Sequence, residues 1–140
     1  MASKVFLDAN VVLDFLLQRN GYEHIEPIVE NAIKGTIKLY LSSSIIHITT
    51  YWLKKEMSVE NVKHILITFL SDINCVDMDH NMVMQALHSD FKDVEDALQY
   101  YTALHHKVDC VLSRDKKFIK SAKSQLPVYD PATFIKKFMN

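Results

Sequence analysis

Val5-Phe6-Leu7-Asp8-Ala9-Asn10-Val11-Val12-Leu13-Asp14-Phe15-Leu16-Leu17 passes from a short β-prone apolar run, through a carboxylate, into a helical apolar run. The pattern reads as a buried strand leading straight into a helix. In open parallel sheets ligands gather where strands end and helices begin, which places Asp8 at the edge where chemistry is done. A carboxylate there also has a purely structural use, because a helix start presents unpaired N–H groups and the positive end of a dipole. A second carboxylate at a similar strand end strengthens the chemical reading, and Leu112-Ser113-Arg114-Asp115 supplies it.

The alternation of strands and helices continues along the chain. Tyr22–Lys34 is an amphipathic helix with Ile25, Ile28, Val29, Ala32 and Ile33 on one face, stopped by Gly35. Residues 37–41 form a second strand, after which Ser42-Ser43-Ser44 caps a helix running through Ile45, Ile46, Ile48, Trp52 and Leu53. Ser58 caps the next, with Val59, Val62, Ile65, Leu66 and Phe69 inward. Ile73–Val76 is a third strand, and Asp77 and Asp79 lead into a helix carrying Met82, Val83, Ala86 and Leu87. Asp93-Val94-Glu95-Asp96 opens a helix through Ala97, Leu98, Tyr101 and Leu104. Residues 109–113 are a fourth strand, followed by a short helix with Phe118 and Ile119. Residues 127–129 are a fifth, and Pro131 starts a closing helix in its first turn.

Strands alternating with helices imply a three-layer α/β/α sandwich around a mostly parallel five-stranded sheet with right-handed crossovers. If the first and fourth strands are neighbours where the winding reverses, Asp8 and Asp115 meet at one edge.

Residues 1–140 are expected to form a single domain, because the length suits one core and Gly 2 with Pro 3 leaves little room for a linker. The opening Met1-Ala2-Ser3-Lys4 lacks the apolar core of a signal peptide, and no apolar run reaches spanning length, so a cytoplasmic protein with no membrane partner is expected. Cys75 and Cys110 sit in strand-like apolar runs and read as buried, reduced thiols. A net charge of −1 excludes a global positive field for holding a long nucleic acid. Local basic groups remain at Lys54-Lys55, at Lys136-Lys137, and at Arg114 with Lys116-Lys117. Only the last abuts the candidate site, which makes Arg114 and Lys116 the candidate substrate-binding residues.

Crowded carboxylates at a strand-end crevice suit a hard divalent cation, which takes a few carboxylate oxygens and completes its shell with water. Asp93 and Asp96 share a helical face at i, i+3, whereas Glu95 points elsewhere by helical phase. His80, His88, His105 and His106 show no zinc-ligand spacing with the cysteines.

Three segments in this order, residues 5–11, 93–100 and 111–118, resemble a PIN domain, and the likeness extends to Pro127-Val128-Tyr129-Asp130-Pro131. The resemblance implies a metal-dependent ribonuclease using Mg²⁺ or Mn²⁺, with RNA as substrate. It further implies the toxin half of a toxin–antitoxin pair, and therefore an antitoxin partner; a homodimer is a further expectation. Asp8, Asp96 and Asp115 match the family's acids and carry the catalytic and metal-binding roles by this resemblance, with Asn10 beside the first acid. Asp93 and Ser113 flank the second and third. The family's usual Glu on the helix after the second strand is missing, and His47, Thr49 or Thr50 stands in that region. A domain that binds RNA or a protein partner without cutting is the alternative this departure raises. A haloacid-type phosphatase is disfavoured because Asn10 stands where its second Asp belongs, and a phospho-receiver domain because its Lys at the fifth strand is absent.

Overall fold

Val5, Phe6 and Leu7 are buried without the alternation of a one-sided strand, so their strand must lie in the middle of a sheet covered on both faces. In the computed structural model, which describes residues 3–139, that strand is β1 (Ser3–Leu7). Met1 and Ala2 of the opening segment lie outside the described residues. The chain continues through α1 (Ala9–Leu16), α2 (Tyr22–Lys34), β2 (Ile37–Ser42), α3 (Ser43–Leu53), α4 (Val59–Leu70) and β3 (Ile73–Val76). It then runs through α5 (His80–His88), α6 (Val94–His105), β4 (Cys110–Leu112), α7 (Lys116–Ser121), β5 (Val128–Tyr129) and α8 (Pro131–Phe138). Strand order is β3-β2-β1-β4-β5 with every pairing parallel, so the α/β/α architecture and the element order expected from the sequence are both present.

The winding runs outward from β1 to β3, then restarts at β4 on the other side of β1. The reversal therefore falls between β1 and β4, the crevice where such sheets bind ligands. Packing of α1 against α2 and α3, and of α2 against α8, builds one helical layer, while α5 packs on α6. Between the layers sit Phe6, Leu39, Leu41, Val111, Leu112 and Phe118, all fully buried.

Helix starts follow the polar residues of the sequence. Asp8, Ser42, Ser58, Asp79, Asp93, Asp115 and Asp130 each accept a backbone N–H at the head of the following helix. Gly35 ends α2 at φ +86°, a left-handed conformation that glycine adopts without a Cβ penalty.

Some side chains differ from their expected burial. Cys110 is buried, but Cys75 is exposed because β3 is an edge strand with only β2 beside it. Ile33, Trp52 and Val59 fall on the inward stripe by periodicity yet are exposed. Ile33 and Trp52 lie in the last turns of α2 and α3, and Val59 in the first turn of α4. Trp52 packs edge-on to Tyr51, and Lys55 Nζ lies 4.5 Å from its ring centroid. Phe69 is buried, and Phe15 and Leu16 are half-buried.

One charge pair fastens the layers near the β1–β4 crevice. Asp14, in the middle of α1, is fully buried, and both its oxygens accept from the Arg114 guanidinium, Nε to Oδ2 and Nη2 to Oδ1 at 3.1 Å. Removing one partner of such a pair leaves an uncompensated buried charge, which costs about 3–5 kcal/mol. Arg114→Met is therefore expected to lower unfolding free energy by an amount of that order in urea titrations. The double variant Asp14→Leu/Arg114→Met should recover most of the loss, and equal losses in single and double variants would show that the pair does not carry this linkage.

Candidate active site

Leu7 of β1 pairs in register with Leu112 of β4, and the Asp8 N–H donates to the Leu112 carbonyl at 3.0 Å. The next residue on each strand, Asp8 and Ser113, therefore emerges at the same level of the same edge. Ser113 Oγ donates to Asp8 Oδ2 at 2.9 Å, and Asn10 Nδ2 donates to the same oxygen at 3.1 Å. Ala9 N–H donates to Asp8 Oδ1 at 2.9 Å. Asn10 Oδ1 accepts from the Arg114 N–H at 3.2 Å, and Ser113 Oγ accepts from the Asp115 N–H at 3.1 Å. The start of α1 is thus tied to the β4–α7 turn, and Asp8 and Asp115 share one edge as the strand order requires.

Asp8 is only 8% exposed, and this burial is the main reason its carboxyl is pushed up to about 6. The Ser113 and Ala9 hydrogen bonds pull it back, while the negative charges of Glu95 and Asp115 push it further up. Asp96, half-buried one turn into α6, is pushed up to about 7. Desolvation comes first among its causes, followed by the charges of Asp93, Asp8, Asp115 and Glu95. Carboxylates from three elements act on one another across this crevice, a concentration of negative charge characteristic of functional sites.

Capping and site membership coincide. Asp8 and Asp115 cap α1 and α7, and Asp93 caps α6 by accepting the Asp96 N–H at 2.9 Å. Asp96 caps nothing. Glu95, expected to point elsewhere, heads the charges acting on Asp8. Helical phase separates it from Asp96, but first-turn residues of a helix that begins at the crevice share the space in front of it.

The region of the missing acid is filled by neutral groups. Ser42 Oγ donates to Gln99 Oε1 at 2.7 Å, Gln99 Nε2 donates to Ser44 Oγ at 2.7 Å, and the two serine oxygens are 2.8 Å apart. Donor counting closes this ring one way, with Ser44 donating to Ser42. Thr49 is fully buried and donates to the Ile46 carbonyl at 3.1 Å, Thr50 is half-buried, and His47 is exposed. Gln99 and Asp14 were not singled out from the sequence; their signal was a polar residue inside an apolar helical stripe. Lys116 is exposed beside the site, whereas the Arg114 guanidinium is turned to Asp14.

Among the described residues no three His, Cys, Asp or Glu side chains converge closely enough to enclose a metal ion by themselves. The donor chemistry still fits a hard cation. Mg²⁺ keeps several waters and needs only one or two direct carboxylates, and the raised Asp8 and Asp96 carboxyls mark a place where added positive charge is favoured. His106 Nε2 lies 2.9 Å from the Asp77 carbonyl, outside this cluster.

The family model described as the PIN domain matches residues 4–117. The chain is 25% identical over 122 residues to Ribonuclease VapC1 of Aquifex aeolicus (strain VF5), covering 84% of this chain and 85% of that protein. Among solved structures, VapBC2 from Rickettsia felis bound to a DNA fragment from their promoter superposes with a TM-score of 0.68 at 15% identity, covering 91% of this chain and 98% of that one. A toxin–antitoxin complex from Klebsiella pneumoniae gives 0.63 at 16% identity, over 87% and 94% of the two chains. FitAB bound to the IR36 DNA fragment gives 0.63 at 17% identity, over 91% and 95%. These structures share the fold, and the family match spans the strand-end acids of β1, α6 and the β4–α7 turn: the chain belongs to the PIN domain family.

Proposed function

We propose that this chain is a Mg²⁺- or Mn²⁺-dependent endoribonuclease in which Asp8, Asp96 and Asp115 hold the ion. The observation that carries the reading is the gathering of Asp8, Asp96 and Asp115 at the β1–β4 crevice, where the Asp115 charge acts on both Asp8 and Asp96. When bound, such an ion supplies Lewis acidity toward a phosphodiester and lowers the pKa of a coordinated water. Asn10 and Ser113 orient Asp8 by donating to Oδ2, and Ser113 also fixes the turn that carries Asp115. Asp93 sets the first turn of α6 and with it Asp96. Lys116, exposed beside Asp115, is the substrate-side cation on this reading, while Arg114 is held by Asp14 and fixes the turn between Ser113 and Asp115.

An antitoxin fits a second feature. A cavity of about 190 Å³ lies between α1 and α4, lined by Phe15, Leu16, Tyr22, Ile65 and Phe69. It suits an apolar segment of a partner protein, and the toxin–antitoxin complexes among the similar folds support that assignment. Exposed Tyr51 and Trp52 suit a homodimer contact. No helix of the described residues is long and apolar enough to cross a membrane.

The absent acid on α3 favours one other reading, a domain that binds RNA or a partner without cutting. Incubating parent and Asp96→Asn proteins with single-stranded RNA and Mn²⁺ separates the two. Cleavage by the parent that disappears in Asp96→Asn supports the nuclease, and tight binding with no cleavage at saturating Mn²⁺ supports the binding module.

Two outcomes follow from the charge pressure. Asp8 binds its proton more tightly in the folded state, near 6 against an ordinary 3.8. Its contribution to stability is therefore fully present below pH 3.8 and lost as pH rises to about 6, a change on the order of 3 kcal/mol at 1.36 kcal/mol per unit. In chelator, the stability of Asp8→Asn relative to parent should climb between pH 4 and 6 and then level off. Mn²⁺ binding by the same variant should weaken in calorimetry; a flat stability difference with unchanged Mn²⁺ affinity would reduce Asp8 to a helix cap. The second outcome concerns α3. Thr49 is buried and Thr50 half-buried, so Thr49→Glu should tighten Mn²⁺ and raise RNA cleavage while lowering stability in chelator. Thr50→Glu should leave all three near parent values, and the reverse ranking would place the missing acid at Thr50.

A further inference from the structure

A cavity of about 460 Å³ opens directly beside Asp96, lined by Lys92, Asp93 and Asp96 toward α6 and by Lys117, Lys120 and Ser121 of α7, with Phe91 and the Asp90–Lys123 pair also on its lining. The α6 wall is mainly acidic and its Asp93 and Asp96 belong to the site already described, while the α7 wall is basic. The basic wall has been given no role. Lys123 is committed, since its Nζ pairs with Asp90 and lies 5.6 Å from the Phe91 ring centroid. Lys117 and Lys120 are exposed and make no ion pair among the described residues. They stand at i, i+3 on α7, which brings their stems to one face of the helix about 5–6 Å apart at Cβ. Phe118 between them is fully buried, with Phe91 and Tyr100 edge-on against it and Tyr101 edge-on against Phe91, so the wall that presents the two ammonium groups is anchored in the core.

We propose that this cleft is a phosphate subsite for the RNA strand adjoining the scissile bond, with Lys117 and Lys120 binding the neighbouring backbone phosphate. The inference rests on the ribonuclease reading and extends it to the path of the strand. Three observations support it. The Arg114 guanidinium, the cation closest in sequence to Asp115, already serves the buried Asp14 and is poorly placed to serve a substrate as well. The net charge of −1 leaves no general field to hold RNA, so binding must come from local cations. The cavity falls within the range of small-ligand clefts and is bounded at one end by Asp96, which makes it continuous with the proposed cation position. A strand entering past the acidic wall meets repulsion there unless a divalent ion is bound, whereas the lysine wall attracts it in either case.

The subsite makes a prediction about salt. Each phosphate contact on a single strand contributes about 0.7 to the slope of log K against log salt. Fluorescence anisotropy of a labelled single-stranded 12-nucleotide RNA, titrated with the full-length Asp96→Asn protein at several KCl concentrations, reads binding without cleavage. Adding Lys117→Gln and Lys120→Gln to that background removes the contact to this one phosphate and should reduce the slope by about 0.7 and weaken binding roughly 5-fold at 0.1 M salt. Lys136→Gln with Lys137→Gln on α8 serves as the control for simple loss of two charges and should change neither. Equal slopes for the α7 variant and its Asp96→Asn background, with RNA bound by both, overturn the subsite while leaving the ribonuclease reading intact. Equal effects of the α7 and α8 pairs also overturn it, since general attraction then suffices. Failure of parent and Asp96→Asn alike to bind RNA overturns the ribonuclease reading and the subsite with it.

Discussion

The structure depends on holding a buried carboxylate, Asp8, at the end of the central strand. A carboxyl this far from solvent loses much of its hydration, and no cation among the described residues lies against it. Three short contacts compensate in part, from the Ala9 N–H, the Asn10 amide and the Ser113 hydroxyl. Each donor is placed by the backbone turn it belongs to. The strand-to-helix turn at Asp8 and the β4–α7 turn at Ser113 must therefore keep their relation for the carboxylate to remain satisfied. Asn10 bridges both turns at once, donating to Asp8 and accepting from the Arg114 N–H. The pKa of about 6 shows that the compensation is incomplete. The residual penalty is what leaves the site responsive to added positive charge.

Sheet topology brings the other acids to this point. With β1 between β2 and β4, helix starts reached from separate crossovers converge at the β1–β4 crevice, and their capping aspartates arrive with them. Asp93 and Asp115 spend one oxygen each on a helix N–H, so their local geometry is set by the cap, while Asp96 is left without such a constraint. The Asp14–Arg114 pair lies just behind this arrangement and anchors the turn that carries Asp115 to the middle of α1. A buried ion pair is weak evidence for stability in itself. Here it has a geometric consequence, because Arg114 lies between Ser113 and Asp115.

Much of the fold was legible because periodicity and caps are local. Every strand and helix appears in the expected order, and the capping role of Asp8, Ser42, Ser58, Asp79 and Asp93 follows from residue type and position alone. The same locality explains the failures. Whether Cys75 is covered depends on β3 lying at the sheet edge, a fact set by strand order and invisible in a four-residue run. Trp52 satisfies the helical stripe but lies in the final turn of α3, where Tyr51 and Lys55 pack on it and still leave it 42% exposed. Asp14 looks like a solvated helix residue until Arg114, 100 positions away, is folded against it. Long-range pairing of polar groups carries no signature in spacing, so the acids at strand ends were found with their chain neighbours Asn10 and Ser113, while the Asp14–Arg114 pair and the Gln99 ring were not.

The departure on α3 shows how a PIN fold can keep its crevice with one carboxylate fewer. Where the family usually places Glu, the helix after β2 presents only hydroxyls and an imidazole. Gln99, one turn along α6 from Asp96, closes a ring with Ser42 and Ser44 and so links α3 to α6 through neutral hydrogen bonds. Such a ring holds the two helices at a fixed separation with or without a cation, whereas facing carboxylates hold together only when a cation lies between them. Loss of the acid lowers the negative charge available to a metal and at the same time lowers the repulsion that an empty site must withstand. The site is thus displaced toward stability without metal and toward weaker retention of it. On the proposed ribonuclease reading, whether RNA is cut or only held depends on how strongly Asp8, Asp96 and Asp115 keep the ion, which makes metal affinity the quantity that separates the two readings.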